Sequence, residues 1–217
     1  NLTINNTDDL TGTAVTMNTP ITVNGAFTLT NGHLVTTATN VLTLSDPATV
    51  VLNASTVPVS QDSSFVKGPM AYIELTNGVP ATKEFPVGKG DLMHKIDLNI
   101  THSSAGTNTY TAMYYDASDA QFTATASCSL PGDNSLSNVS AIGHWDLSKS
   151  GGATVSNASV KLYYLPSDEV AVGADLRVAK GNPSAWTNIT GTGIGVPTGT
   201  ITSATNFTTF SRFSLAN

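Results

Sequence analysis

Residues 13–53 read TAVTMNTPITVNGAFTLTNGHLVTTATNVLTLSDPATVVLN, and this stretch decides the fold. Within it, apolar residues alternate with threonine in short pieces. Such alternation places apolar side chains on one face and hydroxyls on the other, as in a strand that is buried on one side. No piece has helical spacing. The pieces are residues 14–17, 21–23, 26–30, 33–37, 41–44 and 49–52.

Turn-forming pairs separate these pieces, namely Asn24-Gly25, Asn31-Gly32 and Asp46-Pro47. Two architectures accommodate strands this short: a tight meander, or the coils of a β-helix in which each strand stacks on the strand one coil earlier. Asn/Gly corners and threonine or valine ladders favour the coil. The spacing is too irregular to define a repeat length.

The composition limits the possible partners. Charged residues make up 11% of the 217, and the 33 threonines, 22 serines and 18 asparagines hydrate the surface instead. A net charge of −6 with scattered lysines and arginines argues against nucleic-acid binding and against anionic membrane surfaces. No apolar run reaches the roughly 18 residues that a membrane-spanning helix needs, so we expect no membrane insertion.

The rest of the chain continues in strands. A polar segment at residues 55–64 suggests a boundary, with a Thr-rich strand ladder over residues 1–64 and a second unit over 65–217. Residues 71–75 and 82–88, joined through Asn77-Gly78, are predicted to form a hairpin. After residue 140, turn signals recur every eight to twelve residues, as in a β-sandwich, with a loop at 191–199. The predicted fold is therefore all-β: a ladder followed by, or packed onto, an antiparallel β-sandwich.

Several motifs resemble one known family when taken in order. They are FVKGPM at 65–70, FPVG at 85–88, HWDL at 144–147, LRVA at 176–179 before Trp186, and FSRFSLA at 210–216. They are similar to motifs in multi-module surface proteins of Bacteroidota that the type IX secretion system exports, in which β-helix-like coils precede a β-sandwich module. The resemblance implies an extracellular location at the bacterial cell surface and leaves the activity open.

Two features depart from that family. Arg212 stands where a proline is expected, and no sorting domain follows Asn217. Because the chain also opens at Asn1 rather than at a methionine, we expect a processed protein or a module of a longer one.

Candidate catalytic and metal-binding residues are few. Glu74 and Glu84 flank the predicted hairpin and could face each other as a catalytic pair, but we interpret them as solvated strand residues. His94 and His102 are eight residues apart, without the spacing of a zinc site. Asp8-Asp9 and Asp116 to Asp119 could contact Ca²⁺, but neither matches a full calcium loop and both suit turns. We therefore predict no enzyme activity and no required cofactor.

Two hypotheses for function follow. The first is a non-enzymatic structural or adhesion protein that packs with copies of itself or with adjacent surface modules, in which Leu2, Thr3, Ile4 and Asn5 form an edge strand open to pairing. The alternative is a carbohydrate-binding module, with Tyr163 and Trp186 as the rings on which a glycan would stack. A competing interpretation places Trp186, like Trp145, in the sandwich core.

Overall fold

The computed structural model describes residues 1–7, 14–52, 64–75, 79–119, 136–170, 173–182 and 185–217. The regular elements among these residues are strands and short 3-10 turns, such as those at Pro166–Asp168 and Gly173–Asp175, so the all-β prediction is confirmed. In chain order the strands are β1 (Leu2–Asn5), β2 (Val15–Thr16), β3 (Ile21–Val23), β4 (Ala26–Asn31), β5 (Leu34–Val35), β6 (Leu42–Ser45), β7 (Thr49–Leu52), β8 (Val66–Lys67), β9 (Met70–Glu74), β10 (Ala81–Phe85), β11 (Val87–Lys89), β12 (Leu92–Met93), β13 (Ile96–His102), β14 (Asn108–Asp116), β15 (Gly143–Gly151), β16 (Val155–Tyr164), β17 (Arg177–Asn182), β18 (Ala185–Asn188), β19 (Gly193–Ile194), β20 (Gly199–Thr202) and β21 (Arg212–Ala216).

The first nine strands form three coils of a parallel β-helix. Each coil contributes one strand to each of three sheets: β1, β4 and β7 stack in parallel, as do β2, β5 and β8, and β3, β6 and β9. All six predicted strands of the threonine-rich stretch are present. The coil is confirmed and the meander is wrong, because each strand pairs with the strand one coil away and not with its neighbour in sequence.

The inside of the coils is apolar, as the alternation requires. Phe27, Leu29, Leu42 and Leu44 are completely buried, while the threonines between them are partly exposed. Burying a side chain of this size contributes about 1.5–3 kcal/mol to folding. The alternation of apolar residues with threonine therefore determines which face of each strand points into the coil.

The coils continue directly into a sandwich-like pair of sheets. Strand β9 pairs in parallel with β6 and antiparallel with β14, so one eight-stranded sheet runs in the order β18-β17-β21-β15-β14-β9-β6-β3. A five-stranded antiparallel sheet has the order β10-β13-β16-β20-β19. Side chains of both sheets belong to one hydrophobic core that extends from Ile4 to Leu215.

This continuity bears on the predicted boundary at residue 64. Strands β8 and β9 follow the boundary, yet they complete the third coil by pairing with β5 and β6. The division into residues 1–64 and 65–217 thus stays a prediction about folding units.

The hairpin prediction is wrong. Strand β9 belongs to the eight-stranded sheet and β10 to the five-stranded sheet, because β6 and β14 already occupy both edges of β9. The chain therefore crosses from one sheet to the other between these strands. The loop predicted at 191–199 also needs a correction, since it contains the short strand β19, which pairs with β20.

Candidate functional site

The first coil leaves one strand edge open on each of its three sides. Strands β1, β2 and β3 are each the last strand of their sheet, and no described strand pairs with their outer edges. We call these three edges together the open coil edge. The predicted pairing strand at Leu2–Asn5 is one of its three sides, and the sequence analysis did not identify the other two.

Backbone hydrogen bonds show which residues face outward. The amides of Asn6, Val15, Met17 and Ile21 donate inward, to the second coil. Because alternate residues of a parallel strand direct their N–H and C=O groups to opposite sides, the outward-facing residue in the middle of each strand is a threonine. These residues are Thr3, Thr16 and Thr22, all exposed.

The apolar interior of the first coil is already covered. Ile4, Met17 and Val23 are at most 5% exposed. On the outer surface Val15 and Ile21 are 40% and 37% exposed. The open coil edge therefore offers mainly backbone hydrogen-bonding groups, flanked by two aliphatic side chains.

Charge, which commonly protects strand edges from association, is missing from this part of the chain. The sequence contains no Asp, Glu, Lys or Arg from residue 10 to residue 45. Amide side chains stack along the coil instead: Asn31 Nδ2 donates to Asn5 Oδ1 at 2.7 Å, and the Ala26 amide donates to Asn1 Oδ1 at 2.8 Å. Strands β1, β2 and β3 themselves therefore carry no charged side chain.

The two candidate glutamates lie on strands of different sheets and have different environments. Glu74 is completely buried, which corrects the interpretation of it as a solvated strand residue, and its Oε2 lies 2.5 Å from Lys83 Nζ. Glu84 is partly exposed and lies 3.3 Å from Lys95 Nζ. Each glutamate therefore pairs with a different lysine.

The four histidines are buried and dispersed. His94 stacks on the ring of Tyr114 with centroids 3.8 Å apart, and its Nε2 lies 3.3 Å from Asp168. His102 lies 2.7 Å from the hydroxyl of Tyr110. Among the described residues no three His, Cys, Asp or Glu side chains converge on a point that could hold a metal ion.

Of the carboxylates considered for calcium, Asp116 and Asp119 form hydrogen bonds within a turn. Asp116 accepts hydrogen bonds from the amide and hydroxyl of Ser118, and Asp119 accepts one from the Asp116 amide and contacts Lys89. Burial by itself raises the pKa of Asp116, but the hydrogen bonds from Ser118 together with Lys89 outweigh it, so this pKa lies below its usual value. Asp8 and Asp9 lie outside the described residues.

The two rings considered for glycan stacking are buried. Tyr163 is 7% exposed and donates its hydroxyl proton to Asp97 Oδ2 at 2.8 Å, and Trp186 is 4% exposed within a small apolar cluster. Trp145 is also buried, and its indole N–H donates to the His94 carbonyl at 2.7 Å. Neither Tyr163 nor Trp186 presents a flat face to solvent.

An open groove of about 810 Å³ lies over the eight-stranded sheet, lined in part by Tyr115, Asp146, Phe210 and Arg212. Arg212 Nε lies 3.0 Å from Asp146 Oδ1. Burial raises the pKa of Asp146, and Arg212 opposes that rise. The groove is mostly apolar around the Asp146–Arg212 ion pair, and Asp119, which contacts Lys89, contributes a further carboxylate.

Comparison of the chain with protein-family models, with curated proteins and with solved structures finds no match. The described residues include no helix long and apolar enough to span a membrane.

Proposed function

We propose that the chain is a non-enzymatic extracellular structural or adhesion protein of a bacterial cell surface, which packs with copies of itself or with neighbouring modules through the open coil edge. The observation that carries this proposal is the coincidence of three uncharged strand edges on one coil. Main-chain hydrogen bonds supply affinity when a strand is added to such an edge.

Two arrangements of copies are compatible with the strand order. Strand β1 forms one end of its sheet and β7 forms the other. Pairing of β1 with β1 of a second copy gives a closed two-fold dimer, whereas pairing of β1 with β7 of the next copy gives an open filament. Val51 on β7 is 45% exposed and would be covered in the filament.

A proline test separates edge pairing from other contacts. Proline removes an amide donor, and the amides of Thr3 and Thr22 point away from the second coil. We expect Thr3→Pro/Thr22→Pro to keep the fold and to weaken self-association at least tenfold, measured by sedimentation velocity over a range of concentrations. The matched control Thr3→Val/Thr22→Val keeps both amides and should associate like the wild type. A wild type that is monomeric at all concentrations, and that binds no neighbouring surface module, contradicts the proposal.

The extracellular location within this proposal is supported by the resemblance of the chain to exported surface proteins. Antibody labelling of intact cells of the source bacterium tests it. Labelling should require no permeabilisation, and a signal that appears only after lysis contradicts the location.

A further inference from the structure

A buried lysine joins the two sheets through two carboxylates. Lys83 Nζ lies 2.5 Å from Glu74 Oε2 and 3.2 Å from Asp46 Oδ1. The side chains of Lys83, Glu74 and Asp46 are 8%, 0% and 18% exposed. We call these three residues the Lys83 cluster.

The strand register explains why the carboxylates meet. Ser45 pairs with Ile73 in the parallel ladder between β6 and β9, and the Asp46 amide donates to the Ile73 carbonyl. Asp46 directly follows Ser45, and Glu74 directly follows Ile73. Lys83 approaches from β10 in the other sheet, and its Nζ lies 5.6 Å from the ring centroid of Tyr72, which packs edge-on against Phe85. The ammonium group of Lys83 thus lies beside one aromatic ring, in addition to the two carboxylates.

A plain salt bridge is a weak explanation of this arrangement. Removing three charged groups from water costs several kcal/mol per ion, and their mutual attraction often does no more than offset that cost. With one lysine between two carboxylates, a negative charge also remains. The same geometry holds an amine, a carboxyl and a second carboxylate within reach of one another in a site of low polarity, which is the set that amide condensation needs.

We propose that Lys83 and Asp46 form an intramolecular isopeptide bond, with Glu74 as the group that transfers the proton. A proton passes from the Lys83 ammonium to the Asp46 carboxylate, which leaves a neutral amine and a neutral acid. Nζ attacks Cγ of Asp46, and Glu74 takes a proton from the nitrogen. Glu74 then delivers this proton to the departing hydroxyl, so that the C–N bond forms, the C–OH bond breaks and one water leaves. No oxidant or other reactant is needed.

Exposure assigns the roles of the two acids. Asp46 is the more exposed, so the water that leaves has a path to solvent, whereas the completely buried Glu74 is suited to moving a proton. The bond would connect the end of a β-helix strand to the five-stranded sheet. This inference is independent of the proposed function, because no residue of the Lys83 cluster belongs to strands β1, β2 or β3 of the open coil edge.

Mass spectrometry tests the bond directly. We expect the intact mass of the denatured wild-type protein to be lower than the sequence mass by one water, with a branched peptide that contains Lys83 and Asp46 after proteolysis. The branched peptide excludes a cyclised aspartate, which would lose the same mass. A full sequence mass with unmodified Lys83, or a branch at Glu74 in place of Asp46, overturns the proposal.

Variants identify the roles within the Lys83 cluster. Lys83→Arg and Asp46→Ala should restore the full mass, and Glu74→Gln should slow bond formation by about 100-fold or more, since proton transfer contributes at least that much. Lys95 is the matched control: it is also buried, 3.0 Å from Asp97, and Lys95→Arg should keep the loss of one water. Circular dichroism confirms that each variant is folded, and rapid bond formation in folded Glu74→Gln removes the role of Glu74.

Discussion

The imidazole of His144 lies in a site that favours its neutral form. It pairs across strands with Tyr115, the two rings are 5.3 Å apart, and Arg212 and Asp146 lie beside it. Burial lowers the pKa of His144 to about 4; the positive charge of Arg212 also lowers it, and Asp119 opposes the change. The folded protein therefore binds fewer protons than the unfolded chain between about pH 6.5 and pH 4.

Because the folded protein binds fewer protons at His144, we expect this side chain to make the folding stability fall at acidic pH. Above pH 6.5 the contribution of His144 is complete, and it is lost as the pH falls toward 4, by at most about 3 kcal/mol, since one pKa unit corresponds to about 1.4 kcal/mol. His144→Gln should flatten the pH dependence of urea unfolding in this window. An NMR titration of the wild type should place the His144 pKa near 4. A midpoint near 6.5 contradicts the prediction.

Single residues also mark the limit of what the sequence could predict. The alternation in residues 13–53 identified the buried Phe27 and Leu44 correctly, because one buried face repeats every second residue. The burial of Glu74 could not be predicted, since an acidic residue at the end of a strand is usually exposed to solvent. Its environment depends on Asp46 and Lys83, which come from two other strands and meet it only in the fold.

At the scale of the elements, the corner between β8 and β9 depends on one glycine. Gly68 has a φ of +127°, and a Cβ added to it would lie 2.4 Å from the Thr36 carbonyl oxygen of the coil below. Gly68→Ala should lower the free energy of unfolding by about 2–4 kcal/mol, because it adds backbone strain and an overlap with backbone atoms. The control Gly152→Ala has open space around its Cβ, and chemical denaturation should show a change below about 1 kcal/mol. Equal effects of the two substitutions would contradict this role of Gly68.

The elements themselves were largely predictable, but their pairing was not. Each short strand follows from alternation and turn residues. The separations between paired residues vary, however, from 19 (Val15 to Leu34) and 25 (Leu2 to Phe27) to 32 (Leu34 to Val66), because the corners differ in length. No constant repeat exists for a sequence search to find. The open coil edge was for the same reason predicted on one side only, at β1.

In the whole molecule strand β9 links the coils to the sandwich, and coil strand β8 also continues its sheet by pairing with β11. The parallel partner of β9, strand β6, belongs to the coils, and its antiparallel partner β14 belongs to the sandwich. Leu44 of the coils and Leu98 of the five-stranded sheet are both completely buried in the same core. Separation of the two regions would expose apolar surface on both, which opposes independent unfolding.

We therefore expect the described regions to unfold in one transition. Leu44→Ala and Leu98→Ala should each lower the stability by about 2–5 kcal/mol, because each leaves a cavity in a closed core. Both should shift the same single transition, observed by near-ultraviolet circular dichroism for the aromatic side chains and by far-ultraviolet signal for the strands. Hydrogen exchange of β4 and β13 amides should then report equal opening energies. If Leu44→Ala produces a separate early transition confined to the coils, residues 1–64 are an independent folding unit, and strand β9 does not couple the two parts.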